Sequence, residues 1–151
     1  MSYDKSANAF IKKLDCLDKK CLKEIKAIEH AKKKNELELE PLRQKLIAEK
    51  DKLKKNKLQE QMWKIHDKVK TGSLNKCMIK KCYKEARNNL SLEHDLYKKN
   101  CKDGIKADCK LAKDSQKLLK HKNISDKEYG EFAHKITLYI RDIMRKQYNK
   151  N

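Results

Sequence analysis

Six cysteines, at positions 16, 21, 77, 82, 101 and 109, are the residues with the greatest chemical potential in this 151-residue chain. The first four lie in two related strings, DCLDKKCLKE at 15–24 and KCMIKKCYKE at 76–85. Both read Cys-x-x-Lys-Lys-Cys-x-Lys-Glu, at an offset of 61 residues. The match suggests a duplicated helical unit, although the abundance of lysine makes coincidence a competing reading. On one helix, cysteines five apart point about 140° apart, at ~100° per residue, so they cannot bond each other there. Each can still reach a neighbouring helix. Structural zinc usually takes Cys-x(2–4)-Cys on a turn, whereas these pairs lie inside expected helices, so no metal site is expected. The histidines at 30, 66, 94, 121 and 134 have no ligand spacing among themselves and read as surface residues. No nucleophile elbow, paired-carboxylate site or glycine-rich phosphate loop is present. Asp126 and Glu128 read as helix-start charges, and Glu36, Glu38 and Glu40 as an acidic connector. The expectation is a non-enzyme with no cofactor.

The elements that carry these residues must be helical. Gly totals 3 and Pro 1, too few for the many turns of a sandwich or barrel. No apolar run approaches the ~20 residues of a membrane span, and no apolar signal segment follows Met1. Phe10, Leu14, Leu17, Cys21, Ile25 and Ile28 step at helical spacing and predict a helix over 6–33. Pro41 suits the first turn of a second, long helix over 41–70, ended by Gly72. Leu74, Met78, Cys82 and Ala86 predict a third over 74–88. Asn88-Asn89 and Ser91 predict a turn and a cap before a fourth over 92–121, which Gly104 bends or breaks. Ser125 and Glu128 form a capping box, flanked by the Ile124 and Tyr129 staple, for a fifth helix to about 147. The fold class is therefore all-α, a bundle of about five helices in a single unit, with sub-units at 1–72 and 73–151.

If the 74–88 and 92–121 helices form an antiparallel hairpin, opposite positions should have nearly constant sums. Cys82 with Cys101 and Cys77 with Cys109 fit that rule. Cys16 and Cys21 would then be unpaired, or would bond another chain, because an up-down-up path offsets them from the 77/82 pair by ~13 Å along the axis. The competing reading is that all six are reduced and act as small core residues. The two-cysteine helices resemble in logic the twin-cysteine hairpins of the mitochondrial intermembrane space, but depart from their nine-residue spacing.

Forty Lys+Arg against 22 Asp+Glu leave a formal charge of +18. The excess is spread along the chain and mildly concentrated at 41–72, which holds ten basic and four acidic residues. Arg occurs only at 43, 87, 141 and 145. Lysine, unlike arginine, favours non-specific attraction over bidentate reading of phosphate or guanine. Lys50, Lys52, Lys54, Lys55, Lys57 and Lys64 are the candidate nucleic-acid patch, or else the solvated face of a long helix. Trp63 beside the apolar stripe is either core or, with Met62 and Leu58, the candidate anchor for a protein partner.

Residues 118–136, LLKHKNISDKEYGEFAHKI, resemble the short oligomerisation module called the SHOCT domain. The whole chain, in its lysine-rich composition and paired cysteines, resembles small virion proteins of the nucleocytoplasmic large DNA viruses. That resemblance implies a minor capsid or cement role, with disulfides formed by viral thiol oxidases in the cytoplasm. It implies a capsid-protein partner or self-association, and a virion or cytoplasmic location. The functional expectation is thus a structural protein that makes protein–protein contacts. The alternative is a basic, sequence-independent nucleic-acid-binding or packaging protein.

Overall fold

The structure is a computed structural model that describes residues 2–149, with side chains for 4–147. It contains seven helices: α1 (Ser2–Lys20), α2 (Leu22–Ala48), α3 (Lys52–His66), α4 (Gly72–Lys81), α5 (Tyr83–Lys102), α6 (Lys106–Leu119) and α7 (Asp126–Asn149). No strand occurs among the described residues. Within them, no helix is long and apolar enough to cross a membrane.

The helix boundaries depart from the expected ones at three places. The chain does not turn at 34–40. Instead α2 runs unbroken through Pro41. Proline removes one backbone hydrogen bond from a helix interior, and side chains bridge the weakened turn. Arg43 donates to Glu36 at 2.7 Å and to Glu40, and Gln44 donates to Glu40 at 2.9 Å. The break falls at 49–51, where the Asp51 carboxylate accepts from the Leu53 amide at 3.1 Å and caps α3.

Nor is there a turn at Asn88–Ser91, which lies inside α5 with Asn89 fully buried. The true hairpin turn is at Gly104, whose φ of 98° a residue with a side chain rarely adopts. There the Ile105 amide donates to the Asn100 carbonyl at 3.0 Å, and the Asn100 side chain donates to Asp108 at 2.8 Å. The third departure is at Cys21 and Cys82, where α1 gives way to α2 and α4 to α5.

The capping box at the start of α7 forms as expected. Ser125 Oγ accepts from the Glu128 amide at 3.1 Å, and the Ser125 amide donates to Glu128 Oε1 at 3.3 Å. Ile124 is buried beneath it.

The chain divides into two compact units, with divisions inside α2, between α3 and α4, and inside α7. Unit 1 comprises Met1–Ile25 and Gly72–Ile136. The first 25 residues therefore belong with the 72–136 stretch rather than with 26–71. One core cluster of unit 1 gathers Cys16, Leu17, Cys21, Cys77, Met78, Cys82 and Ala86; another gathers Leu90, Leu118, Ile124 and Phe132. Tyr129 packs against both. The buried face of α1 is Ala9, Cys16 and Leu17, while Phe10 and Leu14 of the expected stripe are exposed.

Unit 2 comprises Lys26–Thr71 and Thr137–Asn151. It buries Leu39, Gln59, Met62 and Trp63. Asn35 of α2 donates to the Ile65 carbonyl at the end of α3 at 3.1 Å, and Lys68 pairs with Glu38 at 3.1 Å. Arg141 of α7 makes a bidentate pair with Asp67, at 2.6 and 2.9 Å.

Gly104→Ala should lower unfolding stability by about 1 kcal/mol, since alanine pays for the positive φ even with open space around its Cβ. Gly72→Ala, in equally open space at the start of α4, should leave stability unchanged or slightly raised. Urea denaturation of the two variants checks this.

Candidate functional site

All six cysteines are joined in disulfides: Cys16–Cys82, Cys21–Cys77 and Cys101–Cys109. The first two have Cα–Cα separations of 6.0 and 6.1 Å and clamp the α1–α2 junction to the α4–α5 junction. Their pattern is that of a local two-fold. An offset of 61 carries Cys16 to Cys77 and Cys21 to Cys82, so the operation exchanges the two bonds. Surrounding details follow it. Cys16 Sγ lies 3.9 Å from the Lys81 carbonyl oxygen, and Cys77 Sγ lies 3.6 Å from that of Lys20. The amide of Cys21 donates to Leu17 and that of Cys82 to Met78, each at 2.7 Å.

This geometry explains the breaks at Cys21 and Cys82. Cysteines five apart on an undistorted helix cannot both face one neighbour, because they point ~140° apart. A local departure at the second cysteine re-aims it. Cys82 has φ −128° and ψ 29°, outside the helical region. The helical bond from Ala86 to the Cys82 carbonyl survives at 3.0 Å, and that from Ile25 to Cys21 at 3.1 Å, so the departure is confined to one residue.

The pairings expected from the sequence, 82–101 and 77–109, do not form. Cys82 is the N-cap of α5 and Cys101 lies near that helix's other end, about 28 Å away at 1.5 Å per residue. Cys16 and Cys21 are neither free nor intermolecular. The offset argued against them assumed a reversal at 34–40 that the chain does not make. Cys101 bonds instead to Cys109 across the Gly104 turn, with Cα–Cα 4.7 Å.

Carboxylates stand beside the clamp in symmetric places. Glu24 accompanies Cys21 and Cys77, and Glu85 accompanies Cys16 and Cys82; within each trio the sulfur and oxygen atoms lie within 4.8 Å of one another. Glu24 and Glu85 also occupy the first turns of α2 and α5, where negative charge suits the helix N-terminus.

Unit 1 also holds a half-buried polar group that the sequence did not single out. Lys13 of α1 lies 3.4 Å from the Tyr129 hydroxyl. Burial pulls the Lys13 amine below its usual range, and the Glu93 charge partly restores it. Burial pushes the Glu93 carboxyl up, opposed by Lys13, and pushes the Tyr97 and Tyr129 hydroxyls up to about 12. His94, read as a surface residue, is half-buried and hydrogen-bonds the fully buried Ser115 hydroxyl at 2.8 Å. His121 pairs with Glu128 at 3.0 Å. The His94 contact depends on tertiary packing that no local spacing announces, whereas His121 is exposed, as expected, and its partner lies just across the α6–α7 turn.

In unit 2, Trp63 is only 7% exposed, and Met62 is equally buried. The guanidinium groups of Arg141 and Arg145 lie 5.4 and 4.9 Å from the Trp63 ring centroid. Arg145 is also paired with Glu60, which holds that carboxyl below its usual range. Trp63 is thus a core residue capped by two cations, and it presents no anchor to a partner. Leu58 alone of the three expected contact residues is half-buried at the surface. It lines a cavity of about 440 Å³ with Lys45, Ala48, Glu49, Lys54, Lys57 and Gln61.

Of the lysines expected to form a basic patch, Lys50, Lys52, Lys54, Lys55 and Lys57 lie around the start of α3, while Lys64 stands apart in its last turn. Lys50, Lys52, Lys54, Lys57 and Lys64 are exposed and Lys55 is half-buried. The first turn of α3 itself holds no acidic residue, and Asp51 stands at its cap. Ile47 and Leu53, which flank the 49–51 connection in sequence, are 78% and 67% exposed.

Two outcomes follow from the site. With Cys21–Cys77 intact, Cys16–Cys82 closes only the remaining ring of two five-residue steps, worth about 3 kcal/mol in the chain-entropy model. Cys16→Ser/Cys82→Ser should cost that much, whereas serine at all four clamp positions should cost about 7 kcal/mol, more than the two pair losses added separately. Guanidinium denaturation of these two variants and of Cys21→Ser/Cys77→Ser measures the difference. For Glu93, the folded chain holds a proton above pH 4.5 that the unfolded chain has released. Its contribution to stability therefore falls as pH rises through that window. The stability of Glu93→Gln relative to the natural chain should grow from pH 4.5 upward, read by urea denaturation across pH 4–8.

Comparison with protein families, curated proteins and solved structures finds no match to this chain.

Proposed function

We propose that this chain is a non-catalytic structural protein that works by protein–protein contact, with the α2–α3 corner of unit 2 as its contact surface. The observation that carries this reading is the exposure of Ile47 and Leu53 on either side, in sequence, of the 49–51 connection, where Glu49 and its neighbours Lys45, Ala48, Lys54, Lys57 and Leu58 line a cavity. A large aliphatic side chain gains about 1.5–3 kcal/mol when fully buried, so two such residues on one corner favour a surface that covers them. Lysines crowd the start of α3, where the helix already carries partial positive charge. An acidic partner surface relieves that crowding. The partner is therefore an acidic protein surface with apolar ground between its carboxylates.

The disulfides suit such a role, because they tie α1 and α2 covalently to α4 and α5. The setting that agrees with them is a virion, in which a minor capsid or cement protein lies against larger capsomers under oxidising conditions.

A second reading has the same corner binding nucleic acid through Lys50, Lys52, Lys54, Lys55, Lys57 and Lys64. Phosphate contacts need the lysines but make no use of Ile47 and Leu53. For that reason the protein partner is preferred.

A photo-crosslinking residue in place of Leu53, in the protein assembled in its native source, separates the two. The expected adduct is a protein with an acidic surface, and Ile47→Ser should reduce its yield several-fold at constant salt. A nucleic-acid adduct, lost steeply as salt is raised, would overturn the proposal.

A further inference from the structure

The two Cys–Cys–Glu trios of the clamp have the makings of metal sites that the disulfides conceal. Each holds two sulfurs and one carboxylate with ligand atoms within 4.8 Å of one another. Two thiolates on one tetrahedral zinc ion sit about 3.8 Å apart, given ~2.3 Å zinc–sulfur bonds. Opening each disulfide to that distance is a small motion for helices already held with Cα atoms 6.0 and 6.1 Å apart. The third ligand is in register. Glu24 follows Cys21 by three residues and Glu85 follows Cys82 by three, which sets each carboxylate in the first turn of the helix that its cysteine precedes. The sulfurs are buried while the carboxylates are half-buried, which leaves a solvent side for water as a fourth ligand. The second cysteine of each string also stands at the start of a helix, α2 or α5. The positive end of a helix favours a thiolate there. The whole arrangement occurs twice.

We infer that the reduced chain binds two zinc ions, one at Cys21, Cys77 and Glu24 and one at Cys16, Cys82 and Glu85. Opening each bond takes two electrons and two protons from a dithiol reductant, which becomes its own cyclic disulfide and leaves two thiols on the chain. Binding then releases those two protons, and two thiolates and the glutamate carboxylate occupy three positions on the metal. The clamp thus holds α1 and α2 to α4 and α5 in both redox states, by sulfur–sulfur bonds in one and through zinc in the other. Cys101–Cys109 has no such carboxylate partner and takes no part.

The test uses the full chain, reduced with a phosphine under anaerobic conditions and titrated with Zn²⁺ against a chromogenic chelator. Two ions per chain are expected, and two again for Cys101→Ser/Cys109→Ser. One is expected for Cys16→Ser/Cys82→Ser. Glu24→Gln and Glu85→Gln keep the disulfides and the oxidised fold, and each should weaken one of the two ions about tenfold or more after reduction. A single ion requiring all four clamp cysteines would overturn the proposal. So would unchanged affinity in both glutamine variants, or binding no greater than that of the chain with serine at all four clamp positions.

Discussion

A five-residue step between two cysteines is an awkward fit to a helix, and much of unit 1 follows from accommodating it. The step turns through roughly a turn and two fifths, so one neighbouring helix cannot meet both sulfurs while the helix stays regular. The chain yields at the second cysteine, in both strings, and so divides what would be two long helices into α1–α2 and α4–α5. The clamp also decides which way α1 faces. With Cys16, Leu17 and Cys21 turned inward, Lys13 is carried toward Tyr129 and the neighbourhood of Glu93, while Phe10, Ile11 and Leu14 are left outside. A hydrophobic stripe of ordinary strength has lost to two covalent bonds.

The positive charge is handled by a division of labour between the two basic residue types. Each of the four arginines is committed to specific partners: Arg43 to Glu36 and Glu40, Arg141 to Asp67, and Arg145 to Glu60 and Asp142. Arg87 donates to the Leu119 and His121 carbonyls at the end of α6 and to the Tyr83 hydroxyl. That hydroxyl in turn accepts from the Ile124 amide, so the α6–α7 turn is fastened to α5. The planar guanidinium suits such forked contacts, whereas a lysine amine is better left hydrated. Surface charge in this chain is accordingly lysine charge.

The fold class was legible because so few glycines and prolines leave little besides helix, and the start of α7 because a capping box is a wholly local device. Gly104 was legible as an interruption, though not as the hairpin turn. The remaining boundaries turned on competition between signals. Pro41 reads as a helix start by itself, yet salt bridges from Arg43 and the buried Leu39 carry the helix through it. Asn88, Asn89 and Ser91 read as a turn, yet burial of Leu90 and Asn89 holds them in α5. The rule that antiparallel partners share a constant sum was sound and was applied to the wrong helices. Both true clamp bonds satisfy it without slack. Trp63 is ambiguous in sequence for a related reason: interface tryptophans and core tryptophans have the same helical spacing, and the arginines of α7, some eighty residues away, distinguish them.

The nesting of Cys21–Cys77 inside Cys16–Cys82 has a topological consequence. Residues 22–76 form a covalently closed loop, and the Lys26–Thr71 part of unit 2 lies wholly within it. A protease that cuts once among the exposed lysines at 32–34 or 50–57 opens the loop but frees neither fragment. The two ends remain tied through the same pair of sulfur bridges, and both halves of unit 1 stay in place. The chain can therefore suffer a break in this lysine-rich loop and persist as one molecule.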